Sequence, residues 1–408
     1  MSSELKRRIA VTVGALLVYR LGLFIPVPGI DLSVWAVLFR SQTGGLLGQF
    51  DLLSGGGIHR LAIFSLTLVP YISAAIMLQI AAMMSRRLRA LSAQGEGGRQ
   101  RVRQFTRWLT AALAASQAYS IAVGLQDVPG LVAEPGWLFV LSTVLTLTAG
   151  VMVAVWLSEQ ITRRGIGNGL ALMLLAGIVT EVPSMIAGAL QLGDRGLISP
   201  KTMVGLLAML VAVTGFAVLM ERARRRLPIE FSKHQVGALD LEARSSYLPF
   251  KLNAAGIVPV VLASWILSVV LIFANLSGGP TKDWWTDLVG LGTGRPLPLL
   301  FYAVLIAFCA FFYTAFVLDP EDTAKNLKNH GGCIPGIAPG EATAEHVDRV
   351  LSRMTIMGMA YLVLVCVLPE FVIAKTGVPF YFSATSLLIV ICATLDLEEQ
   401  VRAHMRSA

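Results

Sequence analysis

Charge is scarce in this chain. Asp, Glu, Lys and Arg make up 14% of 408 residues, while 55% are hydrophobic, giving a mean hydropathy of +0.70. Soluble domains carry about 25% charged residues, so a soluble enzyme is excluded by composition. Cysteine is also scarce. The four present form no CxxC pair, so neither a disulfide framework nor a cysteine metal cage is expected. Cys309, Cys366 and Cys392 lie in apolar runs and Cys333 in a polar loop, where packing is the ordinary role. The five histidines are scattered, and no GxSxG elbow or GxxxxGK[ST] loop occurs. The run Gly165-Ile-Gly-Asn-Gly169 follows an apolar stretch rather than a strand, so it reads as a tight loop and not a phosphate cradle. Glu159, Glu370 and Asp396 all sit near span ends, and the membrane interior is nearly uncharged. That argues against a proton relay or an ion-coupled transporter.

Long apolar runs are what the chain has in abundance. About 20 apolar residues cross a bilayer, and ten stretches qualify: 9–29, 62–83, 106–126, 137–157, 168–189, 203–220, 253–275, 298–318, 354–374 and 378–397. Arg20 interrupts the first, and no small-x-small site follows it, so a cleaved signal peptide is not expected. Glycine (38) and proline (18) are frequent, as polytopic membrane proteins allow. If the spans alternate, 25 of the 33 Lys and Arg fall on one side and seven on the other, with Arg20 inside a span. The positive-inside rule then sets both termini in the cytoplasm and accounts for the +8 net charge without nucleic acid. Ten spans with both ends inside divide into five and five, and an odd-numbered half can duplicate only by inverting. The expected halves are residues 1–190 and 191–408. Two cytoplasmic loops, 221–252 and 319–353, are long and of mixed polarity, as surfaces for a cytoplasmic partner are. Residues 46–60, glycine-flanked and too short to span, read either as an interfacial loop or as a small helix folded back as a stopper.

Several ordered motifs resemble the SecY/Sec61 alpha family of protein-conducting channels. They are Phe24-Ile-Pro-Val-Pro-Gly-Ile-Asp31, Ser54-Gly-Gly-Gly57, the run Ile63–Ala75, Trp156–Gly169, Leu248–Asn253, Asp319–Lys328, Pro369-Glu-Phe371 and Val378–Phe382. The resemblance implies an all-α polytopic membrane protein, with ten transmembrane helices in two pseudo-symmetric inverted five-helix halves around a central pore. It implies a plug over 46–60, carried by Leu46, Leu47, Phe50, Leu52, Leu53, Ile58 and Arg60. It implies an aliphatic pore ring at Leu68, Ile72, Leu170, Leu174, Val261 and Ile389. A collar of this kind can dewet and block ions without holding a passing peptide. Ser73, Gln79 and Asn253 are expected at a lateral gate, and Arg225, Arg226, Lys233 and position 338 at the contact with a cytoplasmic partner.

The implied activity is movement of unfolded preproteins across the bacterial inner membrane and lateral release of transmembrane segments. The channel would have no catalytic activity or cofactor of its own. Its implied partners are SecE, with SecG usual, the ATPase SecA or the ribosome, the preprotein and lipid. Two departures stand out. Gly336-Ile-Ala-Pro-Gly340 has Ala338 where the family usually has arginine, and Gly237-Ala238-Leu239-Asp240 lacks the arginine pair that often follows that glycine. These keep a diverged paralogue with restricted substrates as an alternative. A small-solute transporter is the remaining rival, and it lacks polar residues at mid-membrane.

Overall fold

A computed structural model describes residues 3–41, 51–52, 54–85, 87–88, 91, 96–194, 196, 199–231, 245–253, 256–277, 296–317, 320–329, 332–376 and 384–406. They form α1 (Ser3–Gly22), α2 (Leu32–Ser41), α3 (Val69–Met84), α4 (Glu96–Gln126), α5 (Trp137–Arg164), α6 (Gly169–Asp194) and α7 (Pro200–Arg222). Strands β1 (Arg224–Phe231) and β2 (Ser245–Lys251) follow, then α8 (Val258–Ser277), α9 (Pro296–Val317), α10 (Pro320–Asn329), β3 (Gly332–Cys333), α11 (Glu341–Thr376) and α12 (Ala384–Arg406). Among the described residues, six helices are long and apolar enough to cross a membrane: Gln100–Gln126, Trp137–Arg164, Gly169–Gly188, Pro200–Arg222, Pro296–Ala315 and Glu341–Val372. The expected second and seventh spans appear as shorter apolar helices, Val69–Ala82 and Val258–Leu267.

The second span, expected from residue 62, becomes helical only at Val69. Proline in the first turn starts a helix readily because its missing N–H would be unbonded there. The preceding residues are held elsewhere. Val27 N donates to Leu61 O at 2.8 Å and Ile63 N to Ile25 O at 2.9 Å, so 61–63 pair with the proline-rich stretch after α1. Leu61 and Thr67 take positive φ, a conformation a helix cannot contain.

The glycine run after α5 is a helix-to-helix turn. Arg163 and Arg164 occupy the last turn of α5, where cations oppose the negative helix end. Gly167 has φ +87°, and Asn168 Oδ1 accepts from Leu170 N at 3.1 Å to cap α6. Gly167 N in turn donates to Gln400 Oε1 of α12 at 2.8 Å.

The chain forms two compact units, residues Met1–Met203 with Thr376–Ala408, and Val204–Lys375. In the first, Tyr19, Leu23, Phe64, Leu68, Val151, Ile161 and Met173 make one core, and Arg107 of α4 forms a two-pronged ion pair with Glu159 of α5. In the second, a three-stranded antiparallel sheet of order β2-β1-β3 stands against α11. Leu227, Leu248 and Phe250 pack on Val350 and Met354; Ile334 and Ile337 pack on Val347 and Leu351. β3 meets only Glu230 and Phe231 of β1. Pro228 of β1 lies beyond that pairing and Pro249 lies on the edge strand β2, positions where a residue that donates no ladder bond is tolerated.

Candidate functional site

The expected stopper is described at residues 51, 52 and 54–60; Leu46, Leu47, Phe50 and Leu53 lie outside the described residues. From Gly55 to Arg60 it is a run of turns, not a helix, and its own polar groups hold it. Asp51 Oδ1 accepts from Ile58 N and His59 N, both at 2.9 Å. Ser54 Oγ donates to Asp51 O at 2.7 Å and accepts from Gly57 N at 2.9 Å. Asp51 and Ser54 thus do for this loop what backbone pairing does elsewhere.

This folded loop is seated in the first unit. Leu52 and Ser54 are buried. Gly55 has φ +68°, and a Cβ there would stand 2.7 Å from Gly177 Cα on α6, so backbone meets backbone in a space that only two glycines leave. Trp35 of α2 donates from Nε1 to Ile58 O at 3.0 Å. Its helix is capped by Asp31, whose Oδ1 accepts from Ser33 N at 2.9 Å and Ser33 Oγ at 2.6 Å, bonds that hold its carboxyl below the usual carboxylate range. Arg20 of α1 donates from Nη1 to Gly55 O at 2.7 Å. Both Arg20 and Arg60 stand over the Phe24 ring, at 5.1 and 4.5 Å from its centroid.

Five of the expected ring positions lie in the first unit, with Val261 in the second. Leu68 is fully buried and shares a core with Leu170. Leu174 of α6 and Ile389 of α12 are buried, and Ile72 and Val261 are half-buried. At the expected gate positions, Ser73 is buried and its Oγ donates to Val69 O of its own helix at 3.0 Å, while Gln79 is exposed. Asn253 donates from Nδ2 to Glu221 Oε1 at 2.7 Å and to Gly256 O at 3.0 Å, and Tyr361 OH donates to the same Glu221 oxygen at 3.3 Å.

At the expected partner-contact loops, Arg225 and Arg226 are exposed on β1 and Ala338 is exposed in the turn before α11. Thr343 Oγ1 donates to Ala338 O at 2.8 Å. Lys233, Ala238 and Leu239 lie outside the described residues.

A family model described as SecY matches residues 62–397. The chain belongs to the SecY family. It is 42% identical over 410 residues to the protein translocase subunit SecY of Escherichia coli strain K12, covering 99% of this chain and 93% of that one. It is 40% identical to the subunit of the same name from Vibrio cholerae, with the same coverage. Among solved structures, a protein-conducting channel superposes with a TM-score of 0.71 at 16% identity, covering 98% of this chain and 92% of that one. A SecY structure concerned with its plug domain gives 0.67 at 16% identity, with the same coverage. Sec61 from a canine ribosome–channel complex gives 0.68 at 15% identity, again with the same coverage. At such identities these three likenesses are of fold. With six membrane-length apolar helices among its described residues, this SecY-family chain is a multi-pass membrane protein.

Three contributors to the site were not legible in the sequence. Glu221 was counted only as part of a loop, because its partners Asn253 and Tyr361 are 32 and 140 residues away. Trp35 lies in a connecting stretch with no signal for its bond to Ile58. The strand pairing of the two expected partner loops is the third; the Leu227-x-Ile229 alternation is its local trace.

Proposed function

We propose that this chain is the pore subunit of a protein-conducting channel of the bacterial inner membrane. It passes unfolded preproteins across and releases transmembrane segments sideways into lipid. The support is family membership along nearly the whole chain, joined to a loop at 51–60 that is folded by its own side chains and seated on glycine contacts. In this reading 46–60 is the plug; Leu68, Ile72, Leu170, Leu174, Val261 and Ile389 form the constriction; Ser73, Gln79 and Asn253 flank the lateral gate. Residues 1–190 and 191–408 are the inverted halves of a ten-span channel with both termini in the cytoplasm. The chain performs no chemistry. Force on the polypeptide comes from ATP hydrolysis by SecA or from the elongating ribosome, and SecE and SecG are the small membrane partners. Proteoliposomes holding this chain with SecE are expected to import a preprotein when given SecA and ATP. Import no greater than in vesicles lacking the chain overturns the reading.

A diverged, substrate-restricted paralogue is the second reading, and Ala338 favours it. Alanine provides no charged donor where arginine would offer five, and a charge-assisted contact is worth about 1.5–3 kcal/mol. Position 338 is exposed in a turn closed by Thr343, so a longer side chain fits there. Ala338→Arg is expected to tighten binding of a SecA from a species whose channel carries the usual arginine by roughly ten- to a hundredfold. Equal dissociation constants for the two variants in a binding titration remove position 338 from the partner contact.

A further inference from the structure

Arg20 is a cationic side chain well inside the first expected span. Nothing in the function derived above makes use of it. A guanidinium at membrane depth is costly, and residues of this kind mark function when their partners are specific. Here the partners are specific. Arg20 occupies the last turn of α1, and its Nη1 donates across 35 residues to the carbonyl of Gly55, at 2.7 Å, in the middle of the seated loop. Its guanidinium also stands 5.1 Å from the centroid of Phe24, a second, weaker hold. Two other charges act on it, the Glu181 carboxylate of α6 and the Arg60 guanidinium. Glu181 lies against the same loop, since a Cβ on Gly56 would meet its Oε1 at 2.5 Å. Arg60 ends the loop on the other side of the sequence, over Phe24, with Nη1 buried and, among the described residues, without a hydrogen-bond partner. Within the loop itself, His59 Nδ1 lies 3.3 Å from Asp51 Oδ2.

We propose that Arg20 is a latch that holds the 51–60 loop seated through its bond to the Gly55 carbonyl. The inference rests on the plug reading of that loop. The asymmetry of the contacts supports it. Ser54 and Asp51 hold the loop's internal fold and would travel with it. Arg20, Glu181 and Trp35 sit on helices and would stay behind. Of those three, Arg20 gains most from the seated state, because its bond to the Gly55 carbonyl is charge-assisted.

A cationic residue at a helix C-terminus also favours the helix dipole, and the test separates that structural role from the latch. Arg20→Met keeps side-chain length and removes charge and donors. It is made in the full chain and in a chain lacking residues 46–60, and each is reconstituted with SecE for planar-bilayer conductance. The expected result is about a tenfold rise in resting conductance in the full chain and no further rise in the deleted one. If the deletion raises conductance and Arg20→Met does not, the latch falls and the plug stands. A rise of equal factor in both backgrounds also overturns the latch, since Arg20 would then act without the loop. If the deletion itself changes nothing, the plug reading fails and takes the latch with it. Should the Met variant not accumulate, Arg20→Lys goes through the same two backgrounds. It keeps the charge for the dipole but lacks the planar fork, so a smaller rise confined to the full chain is expected, and no rise overturns the proposal.

Discussion

Deleting residues 46–60 is expected to raise the resting ion conductance of reconstituted channels by roughly ten- to a hundredfold. The expected size follows from the contacts that hold the loop. Arg20 and Trp35 each donate to a loop carbonyl, at 2.7 and 3.0 Å, and a net bond of each kind is worth about 1–3 kcal/mol. Leu52 of the same segment is buried. In the proposed reading, removing that hold leaves the aliphatic collar alone to oppose ions, and a hydrophobic constriction gates only by staying dry. The rest of the first unit is expected to remain folded, because among the described residues its central core of Tyr19, Leu23, Phe64, Leu68 and Met173 includes none from 51–60. The bond from Val27 N to Leu61 O also survives the deletion. Single-channel recording in planar bilayers checks it. Unchanged conductance in a correctly folded deletion would show that this segment seals nothing.

Gly150→Ala is expected to lower the thermal stability of the detergent-solubilised protein sharply. A Cβ at this position would stand 2.0 Å from Ile63 O and 3.4 Å from Phe64 Cδ1. The nearer atom is backbone, so no rotamer change relieves it. α5 would have to part from the stretch that leads into α3, and overpacking of this kind costs about 1–3 kcal/mol, sometimes more. That stretch is already committed to Ile25 and Val27 on its other side, which blocks an easy retreat. Gly124→Ala on α4 is the control. Nothing lies within 4 Å of its Cβ position, and alanine improves a helix interior by up to about 1 kcal/mol. Melting followed by gel filtration should therefore move in opposite directions for the two variants. Equal melting temperatures would mean that the contact at Gly150 carries no packing constraint.

Some of this was determined by the sequence alone. Low charge and long apolar runs specify a membrane protein because burial in lipid responds to composition over about 20 residues, which needs no tertiary information. The turn at Gly165–Gly169 was local in the same way. A positive-φ glycine and a capping asparagine act within a few residues. The Ser54-Gly-Gly-Gly57 motif marked the candidate plug, and its serine and glycines do their work within that stretch.

Other features were decided only by the fold. Why Gly55 must lack a side chain depends on Gly177, 122 residues away on α6, and the space between them exists only once α1 and α6 flank the loop. The start of α3 moved from residue 62 to Val69 because Ile25 and Val27 compete for the backbone of 61–63; hydropathy cannot see hydrogen bonds made across a chain reversal. Asn253, expected at the gate from its position, spends its amide on Glu221 and Gly256. Both cytoplasmic loops read as independent surfaces, yet Glu230 of one pairs with Cys333 of the other. Spans follow from the solvent each residue prefers, which every residue carries with it. Pairings such as these follow from which partner arrives, and that is settled only when distant segments are packed together.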